Sequence, residues 1–113
     1  MTMAEDIVLE GLIERERQKK EGFSFKHDDA HIRGELASAA AYYTKHAATG
    51  FIFEQDGDDW KRYQNMWPQN MAFPWDGERF KPKNPRRDLI KALALIIAEI
   101  ERLDRRAVAI DEK

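Results

Sequence analysis

The strongest apolar periodicity in the chain runs through 84–106, NPRRDLIKALALIIAEIERLDRR. Leu89, Leu93, Ile96, Ile100 and Leu103 recur at helical spacing, and Ile90 and Ile97 widen the stripe beyond that of a solvated surface helix. Leu95 falls toward the opposite side, so the middle turns are apolar nearly all round. That girth predicts burial by several neighbours or by a second copy of the chain, a homodimer or higher oligomer. Asn84 suits the N-cap, and Pro85 suits the first helical position, where a missing N–H costs nothing. The run is too short, and too interrupted by Lys91 and Glu99, for a membrane span of about 20 predominantly apolar residues.

Upstream the pattern is weaker. A first helix is predicted from about Met3 to Lys20, with Thr2 and Glu5 in capping-box positions and Gly22 as its stop. Leu9, Leu12 and Ile13 supply a narrow apolar stripe. Glu14, Arg15, Glu16, Arg17, Lys19 and Lys20 read as a solvated face with pairs one turn apart. A second helix is predicted from about Asp29 to Ala47, capped by Asp28 or Asp29. Its core face is Ile32, Leu36, Ala39 and Tyr43, and its alanine-rich middle lets another helix approach closely. From Thr49 to Lys83 periodicity fails. FIFEQ, the acidic turn DGDD and WKRYQ read as a short β-hairpin, followed by an irregular segment crowded with Trp, Phe and Pro. The turn lacks the further ligand positions of a calcium-binding EF-hand loop. The fold class is therefore all-α: a small bundle of about three main helices in a single domain, with a long aromatic loop before the last helix.

Composition narrows the partners. A chain of 113 residues forms one domain, and a net charge of -2 favours neither duplex nucleic acid nor an anionic membrane, so a charged ligand must be recognised by a local patch. The absence of cysteine removes disulfides, thiolate ligands and a cysteine nucleophile, and it fits a reducing cytoplasm. The acidic N-terminal stretch, with no apolar run behind it, predicts no secretory leader.

Candidate chemistry lies at the start of the last helix. Arg86, Arg87 and Lys91 occupy its first two turns, where the macrodipole is already positive and acidic residues are preferred; Asp88 offsets this only in part. Cations there call for an anion, either the protein's own carboxylates or a bound phosphate. Arg79, Lys81 and Lys83 add charge just upstream, and Trp75 or Trp67 offers a π-face on which a base can stack. This constellation suits a nucleotide-type ligand. Against it stands the plainer reading, in which the arginines pair with acidic side chains while Trp67, Phe73, Trp75 and Phe80 simply cover the core. A second cluster, His31 with Glu35, beside His27 and Asp28, has the spacing of a metal or acid–base pair, and equally that of ordinary surface hydrogen bonding.

The strings ERERQKKEGFSFKHDDAHIRGELASAAAYY, FPWDGERFKPK and RRDLIKALALIIAEIERLDRR together resemble a group of short proteins of tailed phages and prophages. The resemblance covers most of the chain. It matches at Asp28, Asp29, His31, Gly34, Glu35, Pro74, Trp75, Lys81, Pro82, Arg87, Lys91, Glu99 and Glu101, and departs at Phe73 and Phe80, where the group more usually has tryptophan. It implies phage origin and a small accessory role in the bacterial cytoplasm, and names no reaction.

Three functions are weighed on these residues. The first is non-catalytic binding of a nucleotide-type ligand by Arg86, Arg87, Lys91, Trp75, Trp67 and Lys81, as in sequestering a defence signal, with no cofactor and no catalytic residue. The second is a magnesium-dependent nucleoside triphosphate pyrophosphatase similar to MazG, using Glu35, Glu101 and Asp104; Glu35 there lacks the second carboxylate one turn on. The third is an inhibitor that docks on a host or defence protein through its aromatic loop.

Overall fold

The computed structural model describes residues 2–50, 60–66 and 73–111; their regular structure is helical, with no strand among them. Among the described residues five α-helices are set out in order, α1 Met3–Lys20, α2 Phe25–Ala30, α3 Glu35–Ala48, α4 Trp60–Gln64 and α5 Pro85–Asp111, with a 3-10 turn at Gly77–Arg79 before α5. Both FIFEQ and DGDD lie outside the described residues. WKRYQ, expected as the returning strand of a hairpin, is instead the short helix α4.

The ends of α1 follow from its sequence. The Thr2 hydroxyl accepts from the Glu5 amide at 3.1 Å, as a capping box requires. At the other end Gly22 takes φ 116, and the Phe23 amide donates to the Gln18 carbonyl at 2.9 Å, closing the helix in a Schellman turn. The helix expected from Asp29 to Ala47 is two helices. Ser24 caps α2 through the His27 amide, and Gly34, at φ 81, breaks the chain before α3. A left-handed residue cannot continue a right-handed helix, and glycine adopts it without strain. Ile32, expected in the core, is left exposed in the connecting turn.

The core is the contact of α3 with α5. Leu36, Ala39, Ala40, Tyr42 and Tyr43 of α3 pack against Ala92, Leu95 and Ala98 of α5, and Phe80 closes the cluster, with Phe23, Phe73 and Trp75 at its margin. Small side chains on both helices bring the backbones close, so α5 buries its alanine face. The predicted stripe is turned largely outward: Leu89, Ile96, Ile100 and Leu103 are about half exposed, Leu93 and Ile97 are partly covered and only Ile90 is buried, while Leu95, expected on the far side, is buried.

Inversion also marks α1. Leu9, Leu12 and Ile13 point outward, and the buried face is Gly11, Glu14, Arg15 and Gln18. Arg15, expected in solvent, is only 2 % exposed. Its guanidinium donates to Asp28 Oδ2 at 2.6 Å, to Glu101 Oε1 at 2.9 Å and to the Phe23 carbonyl at 2.9 Å, tying α1, α2 and α5 together. At the head of α5, buried Asp88 accepts from the Tyr63 hydroxyl of α4 at 2.6 Å and from the Lys83 amide at 2.9 Å.

Candidate functional site

Asn84 and Pro85 start α5 as their types require: Asn84 Oδ1 accepts from the Arg87 amide at 2.9 Å. The helix then holds Arg87 and Lys91 one turn apart on one side. Opposite them runs the segment Arg79–Lys83, pinned by the Tyr43 hydroxyl, which accepts from the Lys81 amide at 3.1 Å and lies 3.5 Å from the Arg79 carbonyl. Lys91 Nζ adds a hydrogen bond to the Lys81 carbonyl. The C-terminal end of α1 supplies Arg17 and Gln18 as the third wall.

Between these walls lies a cavity of about 310 Å³. Six cationic side chains line it, Arg17, Arg79, Lys81, Lys83, Arg87 and Lys91, against one carboxylate, Glu21; Phe23, Tyr43, Phe73 and Trp75 add aromatic surface. The volume falls at the small end of ligand sites. Burial holds Lys91 below the ordinary lysine value, although Asp88 pulls the other way. Burial likewise pushes the Tyr43 hydroxyl up to about 12, so it stays a neutral hydrogen-bonding group.

Beneath the cavity sits Glu14, 1 % exposed. It accepts from Arg17 Nε and Nη2, both at 2.7 Å, and from Arg87. Burial alone would raise its pKa, but the hydrogen bond from Arg17 and the charge of Arg87 outweigh that and hold it below the usual carboxylate value. Two polar atoms on lining residues, Gln18 Oε1 and Trp75 Nε1, are buried without a hydrogen-bond partner. Such atoms cost about 1–3 kcal/mol each when left unsatisfied.

Of the candidate ligand residues, Arg87, Lys91, Lys81 and Trp75 meet in this cavity. Arg86 does not line it; its guanidinium forks onto Glu10 at 2.7 and 2.9 Å on the exposed side of α1. Trp67 lies outside the described residues. Arg17 and Gln18 were not legible as site residues, since both sit in a charge run that reads as solvated. Trp75 serves two purposes, since it also packs edge-on against Phe23 at 5.3 Å and Phe73 at 5.8 Å, and with Phe73 and Phe80 it covers the core as the plainer reading expected.

The histidine cluster adjoins Trp75. His31 Nδ1 is 2.7 Å from Glu35 Oε2, His27 Nδ1 is 3.1 Å from Asp28 Oδ1, and the two Nε2 atoms face each other at 3.0 Å. Glu35 and Glu101 therefore serve separate pairs, one with His31 and the other with Arg15. Asp104, the third residue of the magnesium reading, is exposed on α5. Among the described residues no group of three or more His, Asp or Glu side chains is arranged to hold a metal ion. A second cavity, of about 300 Å³, is lined by Arg102, Arg105 and Arg106. Two of these are already paired, Arg102 with Glu99 and Arg105 with Asp29.

Fold and cavity together define a class, an all-α protein with an aromatic-walled cationic cavity at the start of its longest helix. No protein-family model, curated protein or solved structure matches the chain. Among the described residues no helix is long and apolar enough to cross a membrane.

Proposed function

We propose that the cavity binds a small phosphorylated molecule bearing a flat ring, a nucleotide-type ligand, and holds it without turning it over. The observation that carries this is the imbalance of the lining: six cations and four aromatic rings converge on one space with a single carboxylate. Guanidinium forks and ammonium groups suit phosphate oxygens, and the aromatic walls suit a base or similar ring. From the sequence resemblance we further infer a phage accessory protein acting in the host cytoplasm, where sequestering a nucleotide signal would counteract host defence.

Calorimetric titration tests the reading with inorganic pyrophosphate, a nucleoside, and a panel of linear and cyclic nucleotides. A nucleotide is expected to bind more tightly than either of its parts. Lys91→Ala and Trp75→Ala should each weaken it at least about tenfold, about 1.4 kcal/mol, while helicity measured by circular dichroism is kept. No heat with any member of the panel, or undiminished binding by both variants, sinks the proposal. Magnesium-dependent release of pyrophosphate that is lost in Glu101→Gln would replace it with the pyrophosphatase reading.

A further inference from the structure

Beside the cavity, the turn from α2 to α3 brings two imidazoles tip to tip. His27 lies in α2 and His31 caps its end one turn on, so both rings project to the same side. His27 Nδ1 meets Asp28 Oδ1 at 3.1 Å, and His31 Nδ1 meets Glu35 Oε2 at 2.7 Å. A carboxylate only accepts, so these hydrogen bonds assign the ring hydrogen to Nδ1 of both histidines. Each carboxylate is itself held in place, Asp28 Oδ2 by the buried Arg15 guanidinium and Glu35 Oε1 by the Arg33 amide, both at 2.6 Å. In the neutral rings Nε2 then carries a lone pair, and the two Nε2 atoms stand 3.0 Å apart. Lone pairs so placed repel each other, and a cation that accepts both turns the repulsion into binding.

We propose that His27 Nε2 and His31 Nε2 bind a divalent transition-metal ion with right-angled coordination, copper(II) or nickel(II), whose other positions are taken by water. The distance chooses the geometry. With metal–nitrogen bonds of about 2.0–2.1 Å, adjacent ligands of a square or octahedral ion lie about 2.8–3.0 Å apart, and ligands of a tetrahedral zinc ion about 3.3–3.4 Å. The separation of 3.0 Å fits the right angle. Imidazole suits these ions, and a carboxylate behind each ring is what fixes the tautomer of a metal-binding histidine and raises its basicity. Two side-chain ligands make an open site, and water reaches it, since the His27 and His31 side chains are 20 and 24 % exposed. The Trp75 ring lies 5.8 Å from the His27 ring and 5.4 Å from the His31 ring, centroid to centroid, so a bound ion sits close to an indole.

The probe is copper(II), titrated into the unaltered protein in a buffer that does not chelate it. Calorimetry is expected to show one ion per chain, and electron paramagnetic resonance a tetragonal copper signal split by two nitrogens. A paramagnetic ion beside an indole quenches its emission, so fluorescence should fall on binding, and Trp75→Phe should reduce that fall while keeping the affinity. His31→Gln should abolish the two-nitrogen signal with the helical circular dichroism unchanged. Glu35→Gln leaves both ligands in place and removes the carboxylate behind His31; it should weaken copper binding about tenfold while the two-nitrogen signal persists. Failure of copper(II) to bind at one ion per chain overturns the site, as does a two-nitrogen signal retained by folded His31→Gln; the facing nitrogens are then joined by a shared proton alone. Undiminished affinity in Glu35→Gln overturns the part given to its carboxylate.

Discussion

Lys91 is the one lysine of the cavity that is both well covered and close to a buried carboxylate. Its ammonium lies 3.9 Å from Asp88, and burial still holds its pKa below the ordinary value. A lysine binds an anion in its protonated form, so the sign is fixed. Affinity for pyrophosphate should hold at neutral pH and fall as pH rises through the depressed value, earlier than an ordinary lysine would allow. Lys91→Arg should remove that fall, because a guanidinium stays charged throughout. Calorimetry from neutral to alkaline pH reads both outcomes. Glu14 makes the complementary case, since its carboxylate occupies Arg17 and Arg87 in the empty protein. Replacing it with its uncharged isostere, Glu14→Gln, should lower thermal stability, because two guanidinium groups lose their counter-charge. The same change should strengthen pyrophosphate binding, so that saturating pyrophosphate raises the melting temperature of the variant more than that of the parent. An equal or smaller rise would show that these arginines do not reach the ligand.

At the scale of elements, the starts of α1 and α5 were legible, and so was the inner face of α3 at Leu36, Ala39 and Tyr43, whereas the faces of α1 and, for the most part, α5 were not. Caps are local chemistry, so Thr2, Asn84 and Pro85 placed the starts of α1 and α5 correctly. Which face turns inward is a tertiary choice, and here it ran against residue size. The alanines of α3 were read as a close helix contact, but on α5 the matching inner face, Ala92 and Ala98 beside Leu95, is one that a reading weighted to large aliphatics passes over. The inner face of α1 is an ion-pair network that looks solvated in the sequence. Gly34 was visible as a residue, but an alanine-rich run on either side of it reads as one helix.

This inversion is measurable. Leu95→Ala should cost about 2–5 kcal/mol, the range for a core deletion. Leu12→Ala, on the stripe that the sequence marks as core, should stay within about 0.5 kcal/mol. Chemical denaturation separates the two. The Arg15 network makes a stronger demand. Arg15→Met leaves Asp28 buried without its counter-charge, which costs about 3–5 kcal/mol against a typical total of about 5–15. Arg15→Met with Asp28→Leu should recover much of that loss, because the penalty lies in the stranded charge and not in the missing pair. A double variant as unstable as the single one would assign the loss to packing.

Across the whole molecule the cavity is a junction of the end of α1, the segment before α5 and the start of α5. Arg17 and Arg87 are far apart in sequence, and no local pattern announces that Glu14 joins them. The cations near the start of α5 were legible because they break the dipole preference, whereas Arg17 obeys it at the end of α1 and drew no notice. The distribution of charge then sets what the cavity can attract. Six of the nineteen Lys and Arg residues line it against one of twenty-one Asp and Glu. Outside the cavity the unburied charges among the described residues balance, ten carboxylates against ten Lys and Arg, so the unbalanced positive charge is concentrated in one recess. Counter-ions screen such a field within about 8 Å at physiological salt, so a small anion feels it on entering the recess and a long polyanion gains little from the balanced surface outside. Pyrophosphate affinity should therefore weaken steadily as sodium chloride is raised, while a short DNA duplex at physiological salt should show no shifted band in a gel. Duplex binding as tight as that of pyrophosphate would mean that the cations act as an open patch, and the enclosure by Tyr43, Phe73 and Trp75 would lose its part in recognition.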